Sequence, residues 1–305
     1  MLKKAKRVWN LVKETGSAWD DDNVSRLAAS LAYYTLLSIA PLVILSVAVA
    51  ALAFGQEGAR QHIAGQLGGI VGVGAGTAVE SIAKNAHTSG TGIFSVVVGI
   101  AVLLFGASAV FGELQAALNT VWEVAPKPGR GLWGLVKDRF FSFALVLAVA
   151  FLLLVSLVLS AALTWVGRAF SAALPGGAEL WLVLNFIISF GVVTLLFALL
   201  FKAIPDVKIK WRDVWVGALV TAGLFTLGKL LLGLYLGSAG VSSAYGAAGS
   251  IVALVVWVYY SAQIVLVGAE FTRVYARHSG SVILPDDKAV AITRAAAAGE
   301  PRAAE

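Results

Sequence analysis

The sequence predicts an all-α, polytopic membrane protein with six transmembrane helices. The first observation behind this is composition. The chain is 59% hydrophobic and 13% charged, whereas an average soluble domain is about 25% charged. The second is the recurrence of long apolar runs, at about 27–54, 92–111, 140–163, 180–201, 214–236 and 247–269. At about 1.5 Å per residue, each can cross a hydrocarbon core of about 30 Å. The third is the distribution of basic residues. Six spans put both ends of the chain on one side. Six Lys and Arg lie in the segment ending at Arg26, four in the second loop (Lys127, Arg130, Lys137, Arg139), four in the fourth loop (Lys202, Lys208, Lys210, Arg212) and five from Arg273 onward. The opposite side has Arg60, Lys84 and Arg168. By the positive-inside rule the basic side, with both termini, is cytoplasmic.

Residues 1–23 form an amphipathic N-terminal segment. Leu2, Ala5, Trp9, Val12, Gly16 and Trp19 recur at steps of three and four, while Lys3, Lys4, Lys6, Arg7 and Lys13 fall largely off that face. The pattern predicts a short helix lying on an anionic leaflet; a frayed polar tail is the alternative. Asp20–Asp22, Asn23 and Ser25 supply N-cap chemistry for the first span. No cleavable signal segment is expected, because the first apolar run is a full span.

The membrane domain is expected over 24–277. The first span carries Tyr33 and Tyr34, and then Pro41 at its centre. Pro41 cannot donate to the carbonyl of Leu37, so a kink with a freed carbonyl is expected there. The connection at 55–90 is glycine-rich, with Gly68, Gly72 and Gly76 four apart. Coils of that length are unusual, so one or two short helices are expected, with a flexible loop as the alternative. The second span continues as a helix through Val124, keeping Leu114, Leu118, Val121 and Trp122 on one face, until Ala125–Gly129 stops it. The fourth span contains Asn185. The sixth contains Trp257, Tyr259, Tyr260 and Gln263 and ends at Glu270. Residues 278–305 are polar and then Ala-rich, and read as a disordered tail.

Lys229 is the one charge in the fifth span. A lysine at such depth costs roughly 2.5–3.5 kcal/mol on insertion scales. It can snorkel along its own stem, or it can be held by partners. Counting residues places it level with Pro41 and one turn from Asn185. The expected site is therefore an ammonium bonded by backbone near Leu37 and Ser38 and by Asn185, beside a wet cavity lined by Tyr33, Asn185 and Gln263, with Tyr34 as a further binding candidate. Such a lysine could also hold an anionic group, a lipid phosphate or a carboxylate. Glu113 and Glu270 fall at the inner ends of their spans, at the wrong depth to pair with Lys229. With Gln263 on the face of Glu270, they either gate the cavity, together with the Pro41 kink, or bind a cation, or else accept bonds at helix ends from Arg139 or Arg273.

The chain has no cysteine, which excludes disulfides and thiolate chemistry. Its three histidines, His62, His87 and His278, have no metal-ligand spacing. No P-loop is present, and no basic-aromatic RNA-binding pattern appears. No cofactor, metal or nucleic acid is expected, and no catalytic residue is assigned. Oligomeric state is not legible; Gly233 and Gly237 form only a weak GxxxG.

Four stretches, AASLAYYTLLSIAPLVI (28–44), LNTVWEV (118–124), IPDVKIKWRDVWVGALVTAGLFTLGKLLLGLYL (204–236) and YGAAGSIVALVVWVYYSAQIVLVGAEFTRV (245–274), resemble the YihY/BrkB family of bacterial inner-membrane proteins. The resemblance covers residues 8 to about 276. It implies six membrane helices, cytoplasmic termini and an inner-membrane location. It also aligns the family's tyrosine pair and proline with Tyr33, Tyr34 and Pro41, its fifth-span lysine with Lys229 and its sixth-span glutamate with Glu270. Family members carry names from virulence and an old label, ribonuclease BN. The chain lacks the clustered ligands that metal-dependent RNA hydrolysis needs, so nuclease activity is not expected. The leading expectation is a transporter or flippase for an anionic lipid or amphipathic envelope molecule. A non-catalytic scaffold binding membrane partners is the alternative from another class, and a channel is a third.

Overall fold

The computed structural model describes residues 2–38, 109–127, 177–238 and 249–292. Pro41, the 55–90 connection, the third span and the membrane part of the second lie outside these residues, as does the segment after 292. The described elements are α1 (Leu2–Asp21), α2 (24–38), α3 (109–121), β1 (Val124–Pro126), α4 (Gly177–Ala203), β2 (Val207–Lys208), α5 (Trp211–Ser238), α6 (Gly249–His278), β3 (Leu284–Pro285) and β4 (Ala289–Ala291). Three of these helices, α4, α5 and α6, are long and apolar enough to cross a membrane. The chain is a multi-pass membrane protein, with α4, α5 and α6 overlapping the expected fourth, fifth and sixth spans. The count of six reaches beyond the described residues.

Two compact units emerge. One comprises residues 1–22, 115–226 and 267–305, and the other 23–114 and 227–266. In the first, α5 and α6 run antiparallel along a seam of small residues. A Cβ added at Gly217 would lie 1.8 Å from Thr272 Oγ1, and one added at Gly268 would lie 2.0 Å from Thr221 Oγ1. Each threonine hydroxyl donates back to the carbonyl four residues earlier, Thr221 to Gly217 at 2.7 Å and Thr272 to Gly268 at 2.6 Å. The hydroxyls are thereby satisfied within their own helices, and the two backbones approach closely without burying a free polar group. In the second unit the same helices meet where Gly228 faces Tyr260 and Ile264.

Helix α1 packs on α6 through Leu11 and Ala18, which bury against Val274, Phe271 and Tyr275. Thr15 is buried as well and bonds the Leu11 carbonyl at 2.7 Å. The face through Trp9 and Val12, expected to lie on a leaflet, does not meet protein: Val8, Trp9 and Val12 are exposed. The row Leu11, Thr15, Ala18 is smaller, so it lets α1 come closer to α6. Asn23 links α1 to α2 with φ 50°, a left-handed conformation that asparagine tolerates better than most residues.

The expected disordered tail differs from the structure as far as residue 292. β4 pairs antiparallel with β1 (Val124 with Ala291), and β3 with β2 (Val207 with Pro285). Backbone bonds extend both pairings, from Ile292 N–H to Glu123 O at 2.9 Å and from Asp286 N–H to Asp206 O at 2.8 Å. The tail is polar in composition, but the loops after α3 and α4 offer it unpaired main-chain groups. Outside the membrane, the Lys208 ammonium donates to Asp287 at 2.7 Å. That bond holds the Asp287 carboxyl below its ordinary range and raises Lys208 above its own.

The seam yields a direct expectation. Gly217→Leu has no room against Thr272, so it should force α5 and α6 apart and lower the thermal midpoint in detergent by well over the change seen for Gly223→Leu, where nothing lies within 4 Å. Equal midpoints for the two variants would contradict the seam.

Candidate functional site

Two polar groupings stand out, one in each unit. The first surrounds Arg273 on α6, which is 1% exposed. Its Nη2 donates to Glu270 Oε2 at 2.7 Å and to Asp22 Oδ2 at 3.1 Å, and its Nη1 donates to Glu123 Oε1 at 2.9 Å. Glu270 is fully buried one turn before Arg273. Asp22 follows α1 and Glu123 follows α3, so one guanidinium ties three helices. Glu123 adopts φ 55°. A non-glycine residue in that region costs about 1–3 kcal/mol and persists where its surroundings demand it. Here its carboxylate also takes Arg277, and its carbonyl accepts from Ile292.

Asp206 forms a second buried node in the same unit. Asn119 Nδ2 donates to its carboxylate at 2.9 Å, while the Asp206 N–H donates to Asn119 Oδ1 at 2.8 Å. Gln115 Nε2 adds bonds of 3.2 Å to both carboxylate oxygens. Pro205 stops α4, since the residue before a proline disfavours helix and the ring blocks the ladder. The turn then aims Asp206 at α3. Asp213, buried in the first turn of α5, accepts from Ser279 at 3.0 Å. Its charge suits the positive end of the helix dipole.

The other grouping lies in the second unit. Gln263 Nε2 donates to Tyr259 Oη at 2.7 Å and to Ser25 Oγ at 3.2 Å, tying α6 to the start of α2. Tyr33 is exposed and meets Tyr34 edge-to-face, with centroids 5.5 Å apart. Lys229 is exposed, and its side chain makes no hydrogen bond or ion pair among the described residues. Ser38, near its expected backbone partners, donates instead to its own Tyr34 carbonyl at 3.0 Å. Leu227, Leu230, Leu231 and Leu234 form an exposed apolar row on α5. At about 100° per residue Lys229 lies on the other side of the helix, roughly 150° from the centre of that row. In rotation it lies about 60° from Leu232, which is half-buried, and about 100° from both the buried Gly228 and the exposed Leu230.

Of the expected site residues, Gln263, Tyr33, Tyr34 and Lys229 thus belong to one unit, as does the half-buried Glu113. Glu270 belongs to the other, where it is buried two turns before the end of α6 and accepts from Arg273. Asn185 falls within α4, but its side chain is outside the described residues, as is Pro41. Sequence reasoning did not single out Asp22, Glu123, Asp206 or Asn119 as a set. The signal that could have found Asn119, Glu123 and Asp206, though not Asp22, is the presence of LNTVWEV and IPDVKIKW among the stretches that carry the family resemblance. A soluble-side aspartate and asparagine at such positions suggest partners.

Removing Arg273 should leave Glu270 buried without its counter-charge, a change that typically costs about 3–5 kcal/mol. Arg273→Met is expected to unfold at a much lower temperature in detergent, whereas Arg277→Ala, at an exposed pair, should change stability by no more than about 1 kcal/mol. Similar shifts for both would show that Arg273 is not the hub.

The family model described as virulence factor BrkB matches residues 15–292. A UPF0761 membrane protein of Methylibium petroleiphilum is 29% identical over 281 residues, covering 88% of this chain and 64% of that protein. One from Verminephrobacter eiseniae is 32% identical over 264 residues, covering 82% and 58%. Another, from Pseudomonas aeruginosa, is 28% identical over 251 residues, covering 81% and 58%. The chain thus spans less than two thirds of the length of these curated relatives. No solved structure matches it. The four motif stretches and the nodes built from them lie within the matched region, and the chain belongs to the BrkB virulence-factor family of membrane proteins.

Proposed function

We propose that this chain is a six-span protein of the bacterial inner membrane, with both termini cytoplasmic, that transports or flips an anionic lipid or amphipathic envelope molecule. Lys229 is the group that receives the anionic head. The observation that carries this reading is the position of Lys229 on α5. It stands opposite the exposed leucine row, yet it remains open and makes no ion pair among the described residues. A cation in a membrane span that makes no ion pair among the described residues is suited to an anion that arrives and leaves. Tyr33 and Gln263 belong to the same unit and supply hydroxyl and amide groups for a polar head. The basic residues concentrated at the inner side would attract anionic lipid toward the site.

This reading assigns no catalytic step and no cofactor. The scaffold alternative is favoured by one observation: the described ion pairs crowd the unit that holds Arg273, where they fix three helices.

Lipids that co-purify with the wild type and with Lys229→Met separate the two. Methionine keeps the stem length and removes the charge. The transporter reading predicts one anionic lipid class enriched with the wild type and reduced by about tenfold in a folded variant, the equivalent of about 1.4 kcal/mol of binding. Identical lipid profiles would remove Lys229 as a ligand and leave the scaffold reading.

A further inference from the structure

Helix α1 has three sectors around its axis. Leu11, Thr15 and Ala18 face α6 and are buried. At about 100° per residue, Val8, Val12 and Trp9 occupy the next sector, and they are 60%, 56% and 69% exposed. Lys13 and Lys6, both exposed, border Trp9 on its far side. The acidic residues Asp20, Asp21 and Asp22 gather at the opposite end of the segment. An apolar strip that large on a helix already anchored by its other face needs an occupant.

The contacts of the same unit give its level. Helix α1 meets α6 between Phe271 and His278, with Glu14 bonded to His278 at 2.7 Å and Asp22 to Arg273. The start of α5 lies at that level too, because Asp213 bonds Ser279 and Gly217 abuts Thr272. There α5 exposes Trp211 and Trp215, one turn apart, beside the exposed Lys210 and Arg212, and further along it exposes Leu219. Exposed tryptophans followed by exposed leucine on a spanning helix mark the headgroup layer. Helix α1 therefore sits at the depth of that layer, with its apolar strip uncovered by protein and bordered by ammonium groups.

We infer that Val8, Trp9 and Val12 of α1 dock into the headgroup layer of the surrounding bilayer, and that Lys6 and Lys13 give this contact a preference for anionic lipid. The orientation differs from a helix resting on lipid by its whole apolar face. One side is bolted to α6 through Leu11, Ala18 and Asp22, and the adjacent side enters the lipid. Indole and valine supply the apolar insertion, and lysine stems of four carbons reach phosphate from beside it. The inference is independent of whether the protein transports.

The chain has no cysteine, so single cysteines can report. Val12→Cys and Ser17→Cys, each in the full chain, are labelled with an environment-sensitive fluorophore and placed in nanodiscs of phosphatidylcholine with or without phosphatidylglycerol, using brominated acyl chains as quencher. With anionic lipid present, quenching at residue 12 should exceed that at residue 17 by at least about twofold. Replacing Lys6 and Lys13 with Gln should reduce it, and Trp9→Ser should reduce it further, with the Arg273 anchor and thermal midpoint unchanged. Equal quenching at the two positions overturns the docking. So does shielding of residue 12 from both lipid and water, which would place a second copy of the chain there. Quenching that ignores phosphatidylglycerol and the lysine substitutions overturns the anionic preference.

Discussion

A guanidinium buried among carboxylates is the constraint on which the described structure turns. Arg273 cannot sit 1% exposed unless its charge is met, since an unpaired buried ion costs several kcal/mol. Meeting it requires Glu270 from its own helix, Asp22 after α1 and Glu123 after α3. Those demands fix where α1 and α3 end, against the side of α6. They also place Glu123 in a backbone conformation that is unfavourable for its residue type, from which its carbonyl can receive the returning C-terminal strand. Helix ends, tail and N-terminal helix are thus coupled through a single side chain.

The long apolar helices were the legible part of the sequence. The runs at 180–201, 214–236 and 247–269 became α4, α5 and α6, each longer than its apolar run, because helical hydrogen bonding continues past the hydrocarbon into capped, charged ends. The pairings at those ends were not legible. Arg273 and Glu123 are 150 residues apart, and Arg273 and Asp22 are 251 apart. Nothing in local spacing joins them. The same holds for the tail: composition alone says little about residues 284–291, whose order comes from main-chain bonds to loops remote in sequence. Periodicity found α1 and its apolar stripe through Trp9 and Val12, but not the row Leu11, Thr15 and Ala18 that meets α6. A hydrophobic stripe does not distinguish burial against protein from burial against lipid, and α1 has one sector for each.

Small residues bring α5 and α6 together in each of the two units. Glycine and threonine allow the two helices to touch over Gly217–Thr221 and Gly268–Thr272. In the second unit, Gly228 is again the point of approach, against Tyr260 and Ile264. Lys229 is the next residue, turned away from the exposed leucines. Within that unit the approach of Gly228 to Tyr260 and Ile264 sets which side of α5 meets α6.

The central claim is that the Lys229 side of α5 is open to water or to a polar ligand while the opposite side faces lipid. Single cysteines at 229 and 230 in the otherwise cysteine-free chain test it with a membrane-impermeant, water-borne maleimide applied to the protein in native-like bilayers. The account predicts that Lys229→Cys is modified readily and Leu230→Cys is not. Protection of both positions, or faster reaction at 230, would contradict it and would return Lys229 to the role of a lysine that snorkels from a closed bundle.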